Sequence, residues 1–290
     1  MSDTQIYIVN VSGGLTSFEA LRRTLERYGK ERTRAIFADT LIEDEDLYRF
    51  LDDQERYFGI TIERVADGRT PWQVMHDERC ITMQSAAPCS KILKRKLIDK
   101  VLNERYAPVT YTRVFGMDWT EMHRVDRLTA SLAPQPVWFP LCEKPYVQKC
   151  DIAEYLEKIG IAVPRLYTLG FSHNNCGGGC VKAGMAHWAH LYYTLPDRYA
   201  VWETKEEEIR TYLEKNVTIL RERVNGVAYP LSLHDFRLRL EAGDTSYDKN
   251  DWGGCGCFAP TSQDGLWDTS TLQSLIVPTA KKKVESGRVA

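Results

Sequence analysis

The sequence predicts an α/β fold, a parallel sheet with helices on both faces, Rossmann-like in kind. Three observations predict it. Short apolar, β-branched runs alternate with helix-period segments from Ile6 to Leu132, the spacing of βαβ units. The first run breaks at Ser12-Gly13-Gly14 and resumes as a helix, so a strand, a glycine turn and a helix N-terminus follow one another. Three unusual sequences, Ser12–Ser17, Asp39-Thr40 and Gly116–Glu121, fall at the carboxyl ends of expected strands, where open α/β sheets bind ligands.

Taken in order, Ile6 to Val11 is apolar enough for a buried strand, and Phe18 to Tyr28 reads as the helix behind the turn. Thr33 to Phe37 is a second strand, ending at Ala38-Asp39-Thr40. The helix after it carries Glu43, Asp44, Glu45 and Asp46 in its first turn, where acidic groups suit the helix dipole, and Leu47, Phe50 and Leu51 as its apolar stripe. Ile60 to Val65 is a third strand and Trp72 to Asp77 a short helix. A loop around Cys80 and Cys89 leads to a basic helix, Ser90 to Glu104, with Ile92, Leu93, Leu97, Ile98 and Val101 inside. Val109 to Phe115 is the fourth strand, and a helix runs to about Leu132.

From Val137 the texture changes. A helix from Val147 to Ile159 precedes a Gly-, Asn- and Cys-rich stretch, Gly170 to Cys180, followed by helical segments Val181 to Leu195 and Pro196 to Lys215. A looser polar region then runs to Gly253–Cys257. The expected organisation is an α/β domain over 1–168, a helical Cys-rich annex over 169–260 and a weakly structured tail over 261–290, with Lys281–Lys283 solvated.

Composition sets limits. The 290 residues are 43% hydrophobic and 27% charged, ordinary for a globular protein. A net charge of −2 gives no global attraction to nucleic acid or anionic membrane. Residues 1–12 lack the basic start and long apolar run of a signal peptide, and no apolar run is long enough to span a membrane. A cytoplasmic protein is expected, with no membrane partner. Eight cysteines in that compartment argue for metal or redox use rather than disulfides.

The glycine turn is the most informative stretch. Its backbone can approach an anion closely, the amides of the first helical turn point at it, and Ser12, Thr16 and Ser17 add hydroxyls. No Lys-Ser/Thr follows the glycines, which excludes the common P-loop, and the dinucleotide spacing G-x-G-x-x-G is absent. What remains, Ser-Gly-Gly-x-Thr-Ser, resembles the PP-loop of ATP pyrophosphatases and of the PAPS reductase family. Phe37–Thr40 with its acidic helix resembles the adenosine-recognising second strand of that family. Gly116-x4-Glu121-x2-Arg124 looks like its G-x-x-x-x-E-x-x-R segment. Pro140-Leu141, Lys149–Leu156, then Pro164, Tyr167 and Gly170, and the Cys176 cluster follow in the family's order. The resemblance covers roughly residues 6–185.

That resemblance implies an adenine nucleotide, ATP or else PAPS or APS, bound with Mg²⁺ at Ser12, Gly13, Gly14, Thr16 and Ser17. Asp39 and Thr40 would face the adenosine, with Gly116 and Glu121 near by, and Arg124 would stabilise charge on the α-phosphate or leaving group. Reductases proper carry a degraded loop, whereas here it is intact, as in relatives that cleave ATP between the α and β phosphates and adenylate a substrate. tRNA thiolation enzymes are of that kind. The resemblance therefore implies ATP-dependent sulfur transfer to an acceptor such as a nucleic-acid base, or a small molecule. The alternatives are a phosphoadenosine or adenosine phosphosulfate reductase, and a non-catalytic nucleotide-binding module of a complex. The Glu-Cys-Gly nucleophile motif of the reductases is missing, although Cys255 and Cys257 offer thiols in a comparable place. A homodimer is left open.

Cys176-Gly-Gly-Gly-Cys180 puts two thiols on an amide-rich loop suited to wrapping a metal. By the resemblance, Cys89 stands where one Cys pair of a [4Fe–4S] site would be, and Cys176 with Cys180 where the second would be. A three-cysteine cluster or a fourth ligand from Cys80, Cys255 or Cys257 both fit that pattern. Zinc is the alternative, with Cys176, Cys180, Cys255 and Cys257 or a histidine from His173, His187 and His190. Cys255 and Cys257 are equally readable as ligands, a reactive pair or incidental. Cys142 and Cys150 read as small core residues. Lys91, Lys94 and Arg95 share a helical face, either solvated or phosphate-binding, and Lys91 is the one nearest Cys89. His187 and His190 read as surface histidines of a packed helix, and the run Trp188, Tyr192, Tyr193, Tyr199 and Trp202 as core.

Overall fold

The apolar run Ile6–Val11 forms β1, the middle strand of a five-stranded sheet. The computed structural model describes residues 5–81 and 87–253. After β1 come α1 (Leu15–Arg32), β2 (Thr33–Asp39), α2 (Glu45–Phe58), β3 (Ile62–Ala66) and α3 (Pro71–Asp77). A π-helical turn, Ser90–Lys96, runs into α4 (Leu97–Arg105), then β4 (Tyr111–Phe115), α5 (Met122–Leu132) and β5 (Val137–Trp138). The strand order is β3-β2-β1-β4-β5, all parallel. The order reverses between β1 and β4, so their carboxyl ends flank the crevice in which such sheets take ligands.

Alternation along the strands builds two layers. Tyr7, Val9 and Val11 of β1 and Ala35 and Phe37 of β2 pack on Phe18 and Leu21 of α1, Leu47 and Phe50 of α2, and Ile152 of α6 (Lys149–Lys158). The other faces, Ile8, Ile36, Ala38 and Tyr111, pack on Ile98 and Leu102 of α4. Phe115 meets Val125 and Leu128 of α5. The α/β class and the parallel sheet covered on both faces are thus as the sequence predicts.

Beyond the sheet lie α7 (Arg165–Thr168), α8 (Met185–Thr194) and α9 (Pro196–Leu213). Trp188, Tyr199 and Trp202 are almost fully buried in a second core, as expected, whereas Tyr193 is 63% exposed. That core also takes in Met75 of α3 and Leu166 of α7, residues from before position 169.

The polar region after Lys215 is more ordered than expected. It forms a hairpin, β6 (Leu220–Val224) and β7 (Val227–Leu231), and α10 (Leu233–Glu241), so the segment after 169 is not purely helical. Asn225-Gly226 makes the turn with both residues at positive φ (51° and 82°), the conformation favoured for two-residue hairpin loops. The buried carboxylate of Glu206 accepts the Ile219 and Leu233 amides and ties α9 to both ends of the hairpin. Among the described residues, no helix is long and apolar enough to cross a membrane. The expected tail, together with Cys255 and Cys257, lies outside the described residues.

Candidate functional site

The glycine turn closes onto the start of α1. Gly14 is the N-cap of α1 and, lacking a side chain, makes no capping bond of its own. The first-turn amides and the positive end of the dipole therefore face the crevice. Two glycines are required by sterics. Gly13 has φ +74°, and a Cβ there would lie 2.5 Å from Leu47 Cγ. A Cβ on Gly116, just past β4, would lie 2.8 Å from the Ser17 amide nitrogen. Gly116 thus lets β4 press against the turn, a packing role.

The hydroxyls divide. Ser17 is buried; its Oγ donates to the Gly14 carbonyl (2.8 Å) and accepts from the Ser12 amide (3.1 Å) and Ser12 Oγ (3.2 Å). It braces the turn from inside, which corrects its expected place among groups pointing at a ligand. Ser12 and Thr16 are half-buried at the crevice. From outside the sheet, buried Tyr167 accepts the Leu15 amide through its hydroxyl (3.4 Å), and buried Asn174 donates to the Gly13 carbonyl (2.9 Å).

The second and fourth strand ends add charge. Asp39 accepts the Leu41 amide (2.8 Å) and the Tyr48 hydroxyl (2.9 Å), shaping the turn after β2. Arg124 is buried and pairs with Glu121 three residues earlier. Burial raises the Glu121 carboxyl, with Asp118 adding to the rise, while Arg124 and Lys149 oppose it. Among the described residues, buried Arg124 Nε has no hydrogen-bond partner. Lys149, at the start of α6, donates to the Ser172 carbonyl (2.9 Å) and stands over the Tyr167 ring.

A second feature adjoins this crevice. Cys89, Cys176 and Cys180 line one largely apolar cavity, with Thr40, Lys94 and Trp202. The Cys176–Gly178 turn has three consecutive positive φ values, 53°, 60° and 90°, and a Cβ on Gly179 would sit 1.9 Å from Trp202 Nε1. Each peptide of the turn is held: Glu43 accepts the Cys176 amide, Arg198 donates to the Gly177 carbonyl (2.9 Å), and His187 donates to the Gly178 carbonyl (2.6 Å). His187 is fully buried, not at the surface as expected, because α8 turns that side under the glycine loop. Burial pushes its imidazole down to about 4, against the Gly178 hydrogen bond, and His190 adds to the fall. His173, stacked on His187 at 5.2 Å, is driven well down by burial and then by His187, Lys149 and Lys94.

Helix geometry decides which lysine enters the cavity. In an α-helix, Lys91, Lys94 and Arg95 would share one face, but over Ser90–Lys96 the wider π-helical turn separates them. Lys94 is 4% exposed with Nζ 3.5 Å from Glu43 Oε1, while Lys91 is exposed. Lys94, not the expected Lys91, is thus the lysine that lines the cavity. Buried Thr40 donates to the same Glu43 oxygen (2.9 Å). Glu43 and Asp44, read from the sequence as first-turn acids, are both buried. Burial alone would raise the Asp44 carboxyl, but hydrogen bonds from Arg165, the Asp46 amide and Arg198 outweigh it and hold it below the usual value.

The other three described cysteines lie elsewhere. Cys80 lines a separate pocket with Asn216 and Arg221. Cys142 is pushed up to about 11 by burial and then by Asp118, Glu121 and Glu143, and donates to the Met117 carbonyl (3.6 Å), in keeping with a packing role. Cys150 is only half-buried, beside Gln148 and Asp151, and is not a core residue. Among the described residues, no group of three or more His, Cys, Asp and Glu side chains is arranged to hold a metal ion. Three thiols facing one cavity are nevertheless a donor set of the soft kind that zinc and iron–sulfur clusters take.

Glu43, Asn174 and the Tyr167 hydroxyl join the site although sequence reasoning gave them no role in it. For Glu43 the signal was present: four consecutive acids exceed what a helix N-terminus uses.

No family model matches the chain. It is similar to an uncharacterized protein of Methanocaldococcus jannaschii, 25% identical over 217 residues. The aligned region takes in 72% of this chain and 42% of that protein, so the chain spans about two fifths of the length of the curated relative it matches.

Proposed function

We propose that the chain is a PP-loop enzyme that binds ATP at Ser12–Ser17, cleaves it between the α and β phosphates and uses the adjoining cysteine cavity in sulfur transfer. The observation carrying this reading is the glycine turn leading into the start of α1 at the point where the strand order reverses, where Gly13 and Gly116 leave no room for side chains. Backbone amides and the Ser12 and Thr16 hydroxyls would hold the pyrophosphate portion, with Mg²⁺ screening its charge. Arg124, whose buried Nε has no partner among the described residues, would meet charge developing at the α-phosphate. An acceptor oxygen would attack the α-phosphorus and pyrophosphate would leave. Sulfur would then displace AMP from the adenylated acceptor.

Cys89, Cys176 and Cys180 fit a thiophilic metal by donor type and would hold three corners of an iron–sulfur cluster or a zinc ion. A cluster there supplies a site for binding and delivering sulfur. Thr40, at the end of β2, borders the thiol cavity and so supports one shared reaction space.

The test is pyrophosphate release from Mg²⁺-ATP, with and without RNA or small-molecule acceptors, beside calorimetric ATP binding. Release stimulated by an acceptor and lost in Arg124→Ala is expected. Absence of ATP binding, with reduction of a phosphosulfate instead, would transfer the site to the reductase reading. Anaerobic protein should be brown; colourless protein with stoichiometric zinc would replace the cluster by zinc.

A further inference from the structure

Glu43 stands where three segments meet. Its side chain is fully buried, and its carboxylate takes a hydrogen bond from Thr40 Oγ1 (2.9 Å), another from the Cys176 amide, and an ion pair from Lys94 Nζ (3.5 Å). Thr40 belongs to the end of β2, Lys94 to the π-helical turn behind Cys89, and Cys176 to the thiol loop. Cys176 itself sits at φ +53°, a conformation an L-residue adopts only when its surroundings hold it there. A carboxylate removed from water needs all of its partners, so displacing one shifts the balance at the others.

We propose that Glu43 is a positioning residue that couples occupancy of the nucleotide loop to the placement of the Cys176 thiol, with Lys94 as its charge partner. The inference rests on the nucleotide reading above. A ligand engaging the end of β2 reorients Thr40, Thr40 is bonded to Glu43, and Glu43 carries the change to the Cys176 peptide. The network is short: one carboxylate links both sites.

The experiment uses the full chain stripped of metal by chelation, a non-cleavable ATP analogue with Mg²⁺, and the rate of Cys176 alkylation by iodoacetamide read by peptide mass mapping. In the wild type, the analogue should change the Cys176 rate by about tenfold, within the usual range for coupled sites. The double variant Glu43→Gln with Lys94→Gln removes both charges together, so no uncompensated charge is left buried. It should keep analogue affinity within about threefold while its Cys176 rate no longer responds to the analogue. Glu43→Asp, which keeps the charge, should restore part of the response. A double variant that still responds, or a wild type that binds the analogue without any change at Cys176, overturns the coupling alone. Absence of analogue binding by the wild type overturns the nucleotide reading and this inference with it.

Discussion

His187 makes the stability of the thiol loop depend on pH in a direction the structure sets. The imidazole is fully buried, donates to the Gly178 carbonyl and is held down to about 4. In the unfolded chain it binds a proton below about pH 6.5. Between those values the unfolded state holds more protons than the fold, so stability is complete above about 6.5 and falls as pH drops through the window. The full displacement corresponds to about 3 kcal/mol, of which about 2 kcal/mol is lost on going from near pH 7.5 to near pH 5. His173, lowered mainly by desolvation, shifts the same way, so the wild-type total alone does not isolate His187. His187→Gln keeps an N–H for Gly178 but cannot titrate. Urea unfolding at both pH values should show the variant losing about 2 kcal/mol less than the wild type over the interval. Equal losses in the two proteins would refute the reasoning.

Three further outcomes are expected. Gly116→Ala drives a Cβ into the Thr16–Ser17 backbone and should destabilise the fold by about 1–3 kcal/mol in urea titration, with loss of nucleotide binding by calorimetry. Ser17→Ala, which removes the brace to Gly14, should lower stability by about 1 kcal/mol, whereas Thr16→Ala should leave stability near wild type and weaken ATP binding. Asp44→Asn should cost about 1–3 kcal/mol near neutrality, measured by thermal unfolding. Because the Asp44 carboxyl is held down in the fold, its contribution is present above its unfolded value and lost as pH falls through the folded one; the variant should be less acid-sensitive there.

Much of the sheet was legible because its signals are local. Apolar alternation and glycine breaks placed four of the five strands to within two residues, β1 to β4, and put the three notable turns at strand ends. The two-residue β5 carries too little pattern to be seen. The hairpin after Lys215 was passed over although Asn225-Gly226 announces it, because the flanking strands carry mostly exposed side chains and no clear apolar alternation. At the site, residue types were readable but partners were not. Lys94 rather than Lys91 turns inward because of a π-helical turn, a feature without a propensity signature. The run of four acids marked the start of α2 as unusual but did not single out Glu43. What distinguishes it is the thiol loop, brought against it from 133 residues away.

Those long spans have a consequence for when the site comes into being. The turn after β1 receives Asn174 across 161 residues, Glu43 receives Cys176 across 133, and Asp44 receives Arg198 across 154. Closing such loops carries a large entropic penalty and delays the contacts that require it. During synthesis the glycine turn can leave the ribosome next to a forming helix, yet its outer wall has not been translated. The outer contacts of the glycine turn and those of the thiol loop therefore form together, late, once the chain past α8 and into α9 has been made. A half-made chain has the glycine turn without the Asn174 contact that braces it, and gains that contact together with the thiol loop.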